Sequence, residues 1–246
     1  MRTQVIKLIL ISSLILAACG ALLGADAPPG TSPSAANPAA KEGPRVVTFV
    51  SDDGVTLSGT LYGSGANAVV FSHMFPTDQT SWAPIAKDLA GRGYLVLTYD
   101  FRGYGASQGT KDVSKIDRDL RAAVAFVRTQ GAAKLVLVGA SMGGTATAKV
   151  AAVEKPAAVV IMSAPQSFMG LAVNDDEVKA ITAPKLFIGS EQDGATSTTL
   201  HMFDVAPEPK DKHVYPGSGH GTYIFDSEYG ADLTQRIIQF IETTAR

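Results

Sequence analysis

Leu135-Val136-Leu137-Val138-Gly139-Ala140-Ser141-Met142-Gly143-Gly144 is the stretch on which the fold turns. Leu135 to Val138 is a short, wholly apolar run, as expected of a strand buried on both faces. The glycine-rich segment that follows breaks the run, and Ala146 to Val153 then has helical character. Strand, sharp turn and helix, with a serine at the apex of the turn, is the setting that exposes a serine hydroxyl as a nucleophile. Ser141 is the candidate nucleophile. The chain holds 24 glycines in 246 residues, so the bare Gly-x-Ser-x-Gly spacing is weak and its context carries the reading. Two nucleotide-binding readings fail: no Gly-Lys-Ser/Thr closes a phosphate loop, and Ser141 stands where a dinucleotide fingerprint needs its second glycine.

Outward from this turn the same grammar repeats. Val46 to Val50 and Val55 to Leu61 flank Asp52-Asp53-Gly54, a hairpin signal. Ala68 to Phe71, Tyr94 to Thr98, Val159 to Met162 and Leu186 to Ile188 are further apolar runs of strand length. Val113 to Thr129 places Ile116, Leu120, Val124 and Val127 on one stripe, and Leu233, Ile237, Phe240 and Ile241 repeat that spacing near the C-terminus. Alternating strands and helices predict an α/β domain of three layers over residues 45–246, with a mostly parallel sheet that opens in an antiparallel hairpin. About 20 residues separate the strand ending at Met162 from the one beginning near Leu186, which leaves no room for a large lid.

A serine hydroxyl needs a base to take its proton and a third group to orient that base. His220 lies in Pro216-Gly217-Ser218-Gly219-His220-Gly221, after the predicted strand Lys212 to Tyr215 and before the last helix. His201 falls in a predicted helix, His213 in a strand and His73 upstream of the serine, so His220 is the candidate base. Asp193, just past the strand Leu186 to Ile188, is the candidate orienting carboxylate, with Glu191 its nearest rival and helix capping its alternative role. A developing oxyanion requires donors after the nucleophile and after the third strand. Those positions are the backbone N–H groups of Met142 and Phe75, with Met74 as the alternative to Phe75. Phe75, Trp82, Met142, Phe168 and Met169 are candidates for an apolar wall against an acyl group.

These features together resemble the α/β-hydrolase superfamily over essentially all of residues 45–246, in particular its dienelactone-hydrolase-like and small serine-esterase branches. Tyr99-Asp100-Phe101-Arg102-Gly103-Tyr104-Gly105-Ala106-Ser107 is similar to a turn common in that superfamily, and Asp100 and Arg102 read as its buttresses. The resemblance implies a Ser141–His220–Asp193 triad cleaving small-molecule carboxylic esters through an acyl-enzyme, with no cofactor and no metal. Peptide or thioester hydrolysis by the same residues, or a catalytically idle binding scaffold, are the alternatives. Relatives often carry His-Gly where this chain has His73-Met74, a departure that bears on the oxyanion loop.

The first nineteen residues read as an address. Arg2 and Lys7 precede an apolar stretch from Leu8 to Ala18, the order of a secretory signal and too short for a comfortable membrane span. Leu16-Ala17-Ala18-Cys19-Gly20 resembles the lipobox of bacterial lipoproteins. It implies removal of residues 1–18, lipidation of Cys19 and anchoring to the cell envelope outside the cytoplasm, with free secretion as the alternative. Residues 19–44, rich in Ala, Pro and Ser, read as a disordered tether. Cys19 is the sole cysteine, which excludes an internal disulfide and a multi-cysteine metal site. A formal net charge of -2 without basic runs argues against a nucleic-acid partner.

Overall fold

The computed structural model describes residues 43–245. The predicted export signal, Cys19 and all but the last two residues of the predicted tether lie outside the described residues. Chain order gives β1 (Arg45–Val50), β2 (Thr56–Tyr62), β3 (Asn67–Ser72), α1 (Ala83–Gly91), β4 (Leu95–Tyr99), α2 (Ile116–Thr129), β5 (Lys134–Ala140) and α3 (Met142–Glu154). There follow β6 (Ala158–Met162), the two-residue strands β7 (Ser167–Phe168) and β8 (Leu171–Ala172), α4 (Asp175–Lys179), β9 (Lys185–Ser190), α5 (Thr196–Val205), β10 (Lys210–Tyr215) and α6 (Gly230–Thr244). Each predicted strand is present, with ends moved by one or two residues.

Eight strands form one sheet in the order β1-β2-β4-β3-β5-β6-β9-β10. β1 pairs with β2 and β2 with β4 in antiparallel sense, and the other pairings are parallel. The first hairpin closes where Gly54, at φ +86°, donates its N–H to Ser51 O while Ser51 N–H donates to Val55 O. Only a residue indifferent to the sign of φ sits there without strain.

Period-two alternation along the strands divides the interior between two faces. Ala68, Val70, Leu135 and Leu137 join a core covered by α2, α3, α4 and α5, whereas Val69, Phe71, Val136 and Val138 join one covered by α1 and α6. The sequence-predicted three layers follow directly. Between β6 and β9 lie only the small β7–β8 hairpin and the five-residue α4, consistent with the absence of a large lid.

Strand order also fixes where chemistry can occur. From β3 the chain turns to β4 on one side, and β5 returns on the other side of β3. The loops leaving the carboxyl ends of β3 and β5 therefore part, and the crevice between them is the ligand position of open α/β sheets. Ser72 pairs in register with Gly139, which puts the loop to Phe75 beside the turn to Ser141.

Candidate active site

Ser141 stands between β5 and α3 with φ +52° and ψ −122°, a conformation L-residues rarely adopt. The turn is held by Ser141 N–H donating to Met162 O at 2.8 Å and by Thr145 N–H donating to Ser141 O at 3.0 Å. The flanking glycines serve close approach, since neither has positive φ. A Cβ on Gly143 would lie 2.4 Å from the carbonyl oxygens of Ser72 and His73, and one on Gly139 would lie 2.2 Å from Gly143 O. The left-handed strain falls on the serine itself. Ser141 is 7% exposed, at the floor of the crevice.

His220 and Asp193 are brought together. Their loops leave the adjacent strands β10 and β9 and are fastened by three hydrogen bonds. Glu191 N–H donates to Tyr215 O, Gln192 N–H to Gly217 O, each at 2.9 Å, and Ser190 Oγ to Gly219 O at 2.7 Å. Across this junction His220 Nδ1 lies 2.9 Å from Asp193 Oδ1. With Nδ1 donating to the carboxylate, Nε2 is left as the basic nitrogen. Asp193 Oδ1 also accepts Ala195 N–H at 3.1 Å, so orienting the imidazole and capping the next turn are done by one oxygen. Burial pushes the Asp193 carboxyl up, but the hydrogen bonds from His220 and the Ala195 N–H, with the nearby Ser163 hydroxyl, outweigh it and hold the group below the ordinary carboxylate range. The rival Glu191 is exposed.

The His220 loop reaches back over the end of β5: a Cβ on Gly221 would come 3.2 Å from Ala140 Cβ, one residue before the nucleophile. Ser141 Oγ and His220 do not hydrogen-bond in this structure. Such bonds are often long before substrate binds. His220 is 32% exposed at its side chain, open to an incoming molecule.

Met142 opens α3, so its N–H has no acceptor within the helix. The Phe75 N–H owes its orientation to its sequence neighbours His73 and Thr77. It shares a peptide plane with Met74 O, which accepts His73 Nδ1 at 2.9 Å and Thr77 Oγ1 at 3.1 Å. Holding that carbonyl one way fixes the N–H the other way. His73 Nε2 accepts Phe101 N–H at 3.1 Å, and the two bonds together require the neutral Nδ1–H tautomer. Burial lowers its pKa in the same sense. Met74, the departure from the superfamily's usual glycine, sends its side chain into the α1/α6 core, where its sulfur would meet a Cβ on Gly221 at 2.7 Å. It leaves the crevice unobstructed.

Asp100 and Arg102 are structural, as the sequence suggests. Asp100 accepts the N–H groups of Gln79 and Ala106, each at 3.0 Å, and Arg102 bridges Asp119 and Asp53 at 2.6 and 2.7 Å. The expected apolar wall needs correction. Trp82 and Met142 are fully buried, Trp82 against Phe71 and Phe225, because their positions face the two cores. Phe75 and Met169 remain, 44% and 66% exposed, with the Phe168 ring 6.3 Å from that of Phe75. Met169 is at φ +47° in the β7–β8 turn, strained while it faces solvent. Among the described residues no cluster of three or more His, Cys, Asp or Glu is placed to hold a metal ion.

Sheet order, crossover helices and the turn at Ser141 give the chain the α/β-hydrolase fold, and the comparisons support its similarity to that superfamily. Residues 64–175 match the family described as serine aminopeptidase, S33. An uncharacterized protein of Mycobacterium tuberculosis is 27% identical over 221 residues, covering 79% of each chain. Human alpha/beta hydrolase domain-containing protein 17B is 27% identical over 192 residues, covering 70% of this chain and 65% of that protein. A Pyrococcus furiosus esterase is similar in structure with TM-score 0.73 at 18% identity, covering 84% of this chain and 92% of the other. A thermophilic esterase of Thermogutta terrifontis gives 0.68 at 19%, covering 82% and 100%.

Proposed function

We propose that this protein is a serine hydrolase that cleaves carboxylic esters of small molecules through an acyl-enzyme. Ser141 Oγ attacks the acyl carbon while His220 Nε2 takes its proton, and Asp193 stabilises the imidazolium that forms. The tetrahedral oxyanion accepts the N–H groups of Met142 and Phe75. On collapse, His220 returns the proton to the leaving alcohol. Water, deprotonated by the same imidazole, then attacks the acyl-enzyme and releases the acid and Ser141.

The observation that carries the reading is the 2.9 Å contact of His220 Nδ1 with Asp193, whose side chain is 6% exposed, delivered on the loop that overlies the Ser141 turn. The exposed pair Phe75 and Met169, with Phe168, supports an apolar acyl group as the part recognised. Esterases among the structural neighbours support the ester class. Peptide hydrolysis is a second reading, favoured by the aminopeptidase description of the matching family. Export and lipidation at Cys19 complete the proposal and rest on the sequence of the first 20 residues.

A panel of p-nitrophenyl esters, an acyl thioester and aminoacyl amides tests the substrate class. Turnover confined to esters is expected, and turnover confined to the amides replaces this reading with the peptidase one. Incorporation of a fatty-acid analogue that depends on Cys19 is expected in cells, and its absence refutes the anchor.

A further inference from the structure

One oxygen of the Asp193 carboxylate is accounted for and the other is not. Oδ1 accepts His220 and Ala195, while Oδ2 is buried and makes no hydrogen bond of ordinary geometry. A buried acceptor is costly to leave without a donor. Near this carboxylate, on the side of the His220 loop, is Ser163, the residue after β6, fully buried and held at φ +46°. Its N–H donates to Ile188 O at 2.8 Å and its Oγ accepts Gly221 N–H at 3.0 Å. With a lone pair taken by Gly221, the hydroxyl hydrogen is free to turn elsewhere, and the Asp193 carboxylate is near enough for this hydroxyl to favour its ionised form.

We propose that Ser163 is a positioning residue, its hydroxyl donating to Asp193 Oδ2 while accepting the N–H that follows His220. Carboxylate, imidazole and loop then close into one ring: Ser163 to Asp193, Asp193 to His220, and Gly221 back to Ser163. A carboxylate held at both oxygens does not rotate about its Cβ–Cγ bond, so Oδ1 stays aligned with Nδ1. The left-handed backbone at Ser163 fits this role. Glycine would take φ +46° without strain, yet a residue carrying a hydroxyl stands there.

The proposal rests on the catalytic reading above, so its test needs one measurement that does not. Ser163→Ala and Ser163→Gly both remove the hydroxyl, and the glycine variant also relaxes the backbone. Both variants are expected to lose about 10-fold or more in kcat and in the rate of fluorophosphonate labelling, with KM within about two-fold of wild type. The downfield proton resonance of His220 Nδ1–H, visible whether or not the chain turns over any substrate, is expected to move in both. Wild-type kcat in Ser163→Ala, recovery of kcat in Ser163→Gly, or an unmoved resonance overturns the proposal. A wild type that neither labels nor hydrolyses, with a resonance that moves, leaves the ring standing and overturns the catalytic reading instead.

Discussion

Replacing Asp193 by asparagine separates the two tasks its Oδ1 performs. Asparagine caps a helical turn about as well as aspartate, so the bond from Ala195 N–H survives and the fold loses little. What disappears is the negative charge beside His220 Nδ1, 2.9 Å away. Imidazolium and carboxylate charge centres about 4 Å apart attract by about 4 kcal/mol at an effective dielectric constant near 20. At about 1.4 kcal/mol per tenfold, that is about a thousandfold in rate. His220 is 32% exposed, and solvent trims the expected loss in kcat to between about a hundredfold and a thousandfold. Steady-state hydrolysis of p-nitrophenyl acetate at pH 8, with thermal melting as the folding control, reads the effect. A variant that melts with wild type and retains kcat within about threefold refutes the reasoning, because Asp193 would then be a cap and nothing more.

Two further predictions probe strain and burial. Met169→Asn places an Asn-Gly pair at the β7–β8 turn, where positions 169 and 170 have φ +47° and +89°. It is expected to raise Tm by about 2–4 °C, as relief of about 1 kcal/mol would, and to lower kcat/KM for p-nitrophenyl octanoate more than for the acetate. Equal effects on the two esters contradict a role for Met169 in acyl binding. Lys185 is buried at the start of β9, donating to Pro207 O and Pro209 O, and burial lowers its pKa to about 8. The folded chain then gives up this proton at lower pH than the unfolded chain, whose lysine titrates near 10.4, so stability rises as pH climbs from about 8 to 10. Relative to Lys185→Met, wild type is expected to gain on the order of 1–3 kcal/mol across that interval in denaturant titrations, and a difference that stays constant contradicts it.

Much of this was legible because the signals are local. Apolar runs of three to five residues mark the buried strands, and a serine between a strand and a helix marks the turn. Asp193 and His220 were found by their places after successive strands, an argument from topology that needs no distances. Ser163 escaped because nothing in Ile161-Met162-Ser163-Ala164-Pro165 distinguishes a hydroxyl facing a carboxylate from a loop beginning. Its role depends on Gly221, 58 residues away. His73 lies upstream of the serine, a place that argues against a base but not against a residue that aligns the Phe75 peptide. Trp82 and Met142 looked available to substrate because composition gives no direction to a side chain, and the structure turns both inward. The β7–β8 hairpin, two residues on each side, is too short to carry a strand period. The capping box of α4, in which Asn174 and Glu177 bond reciprocally, corresponds to Asn174-Asp175-Asp176-Glu177 in the sequence.

The central claim is that Ser141 is a nucleophile, and the most direct measurement is the site of covalent modification by a fluorophosphonate, read by peptide mass spectrometry. One adduct on the peptide bearing Ser141 is expected in wild type, with none in Ser141→Ala. A folded wild type that takes up no adduct, or an adduct that persists in Ser141→Ala, contradicts the claim.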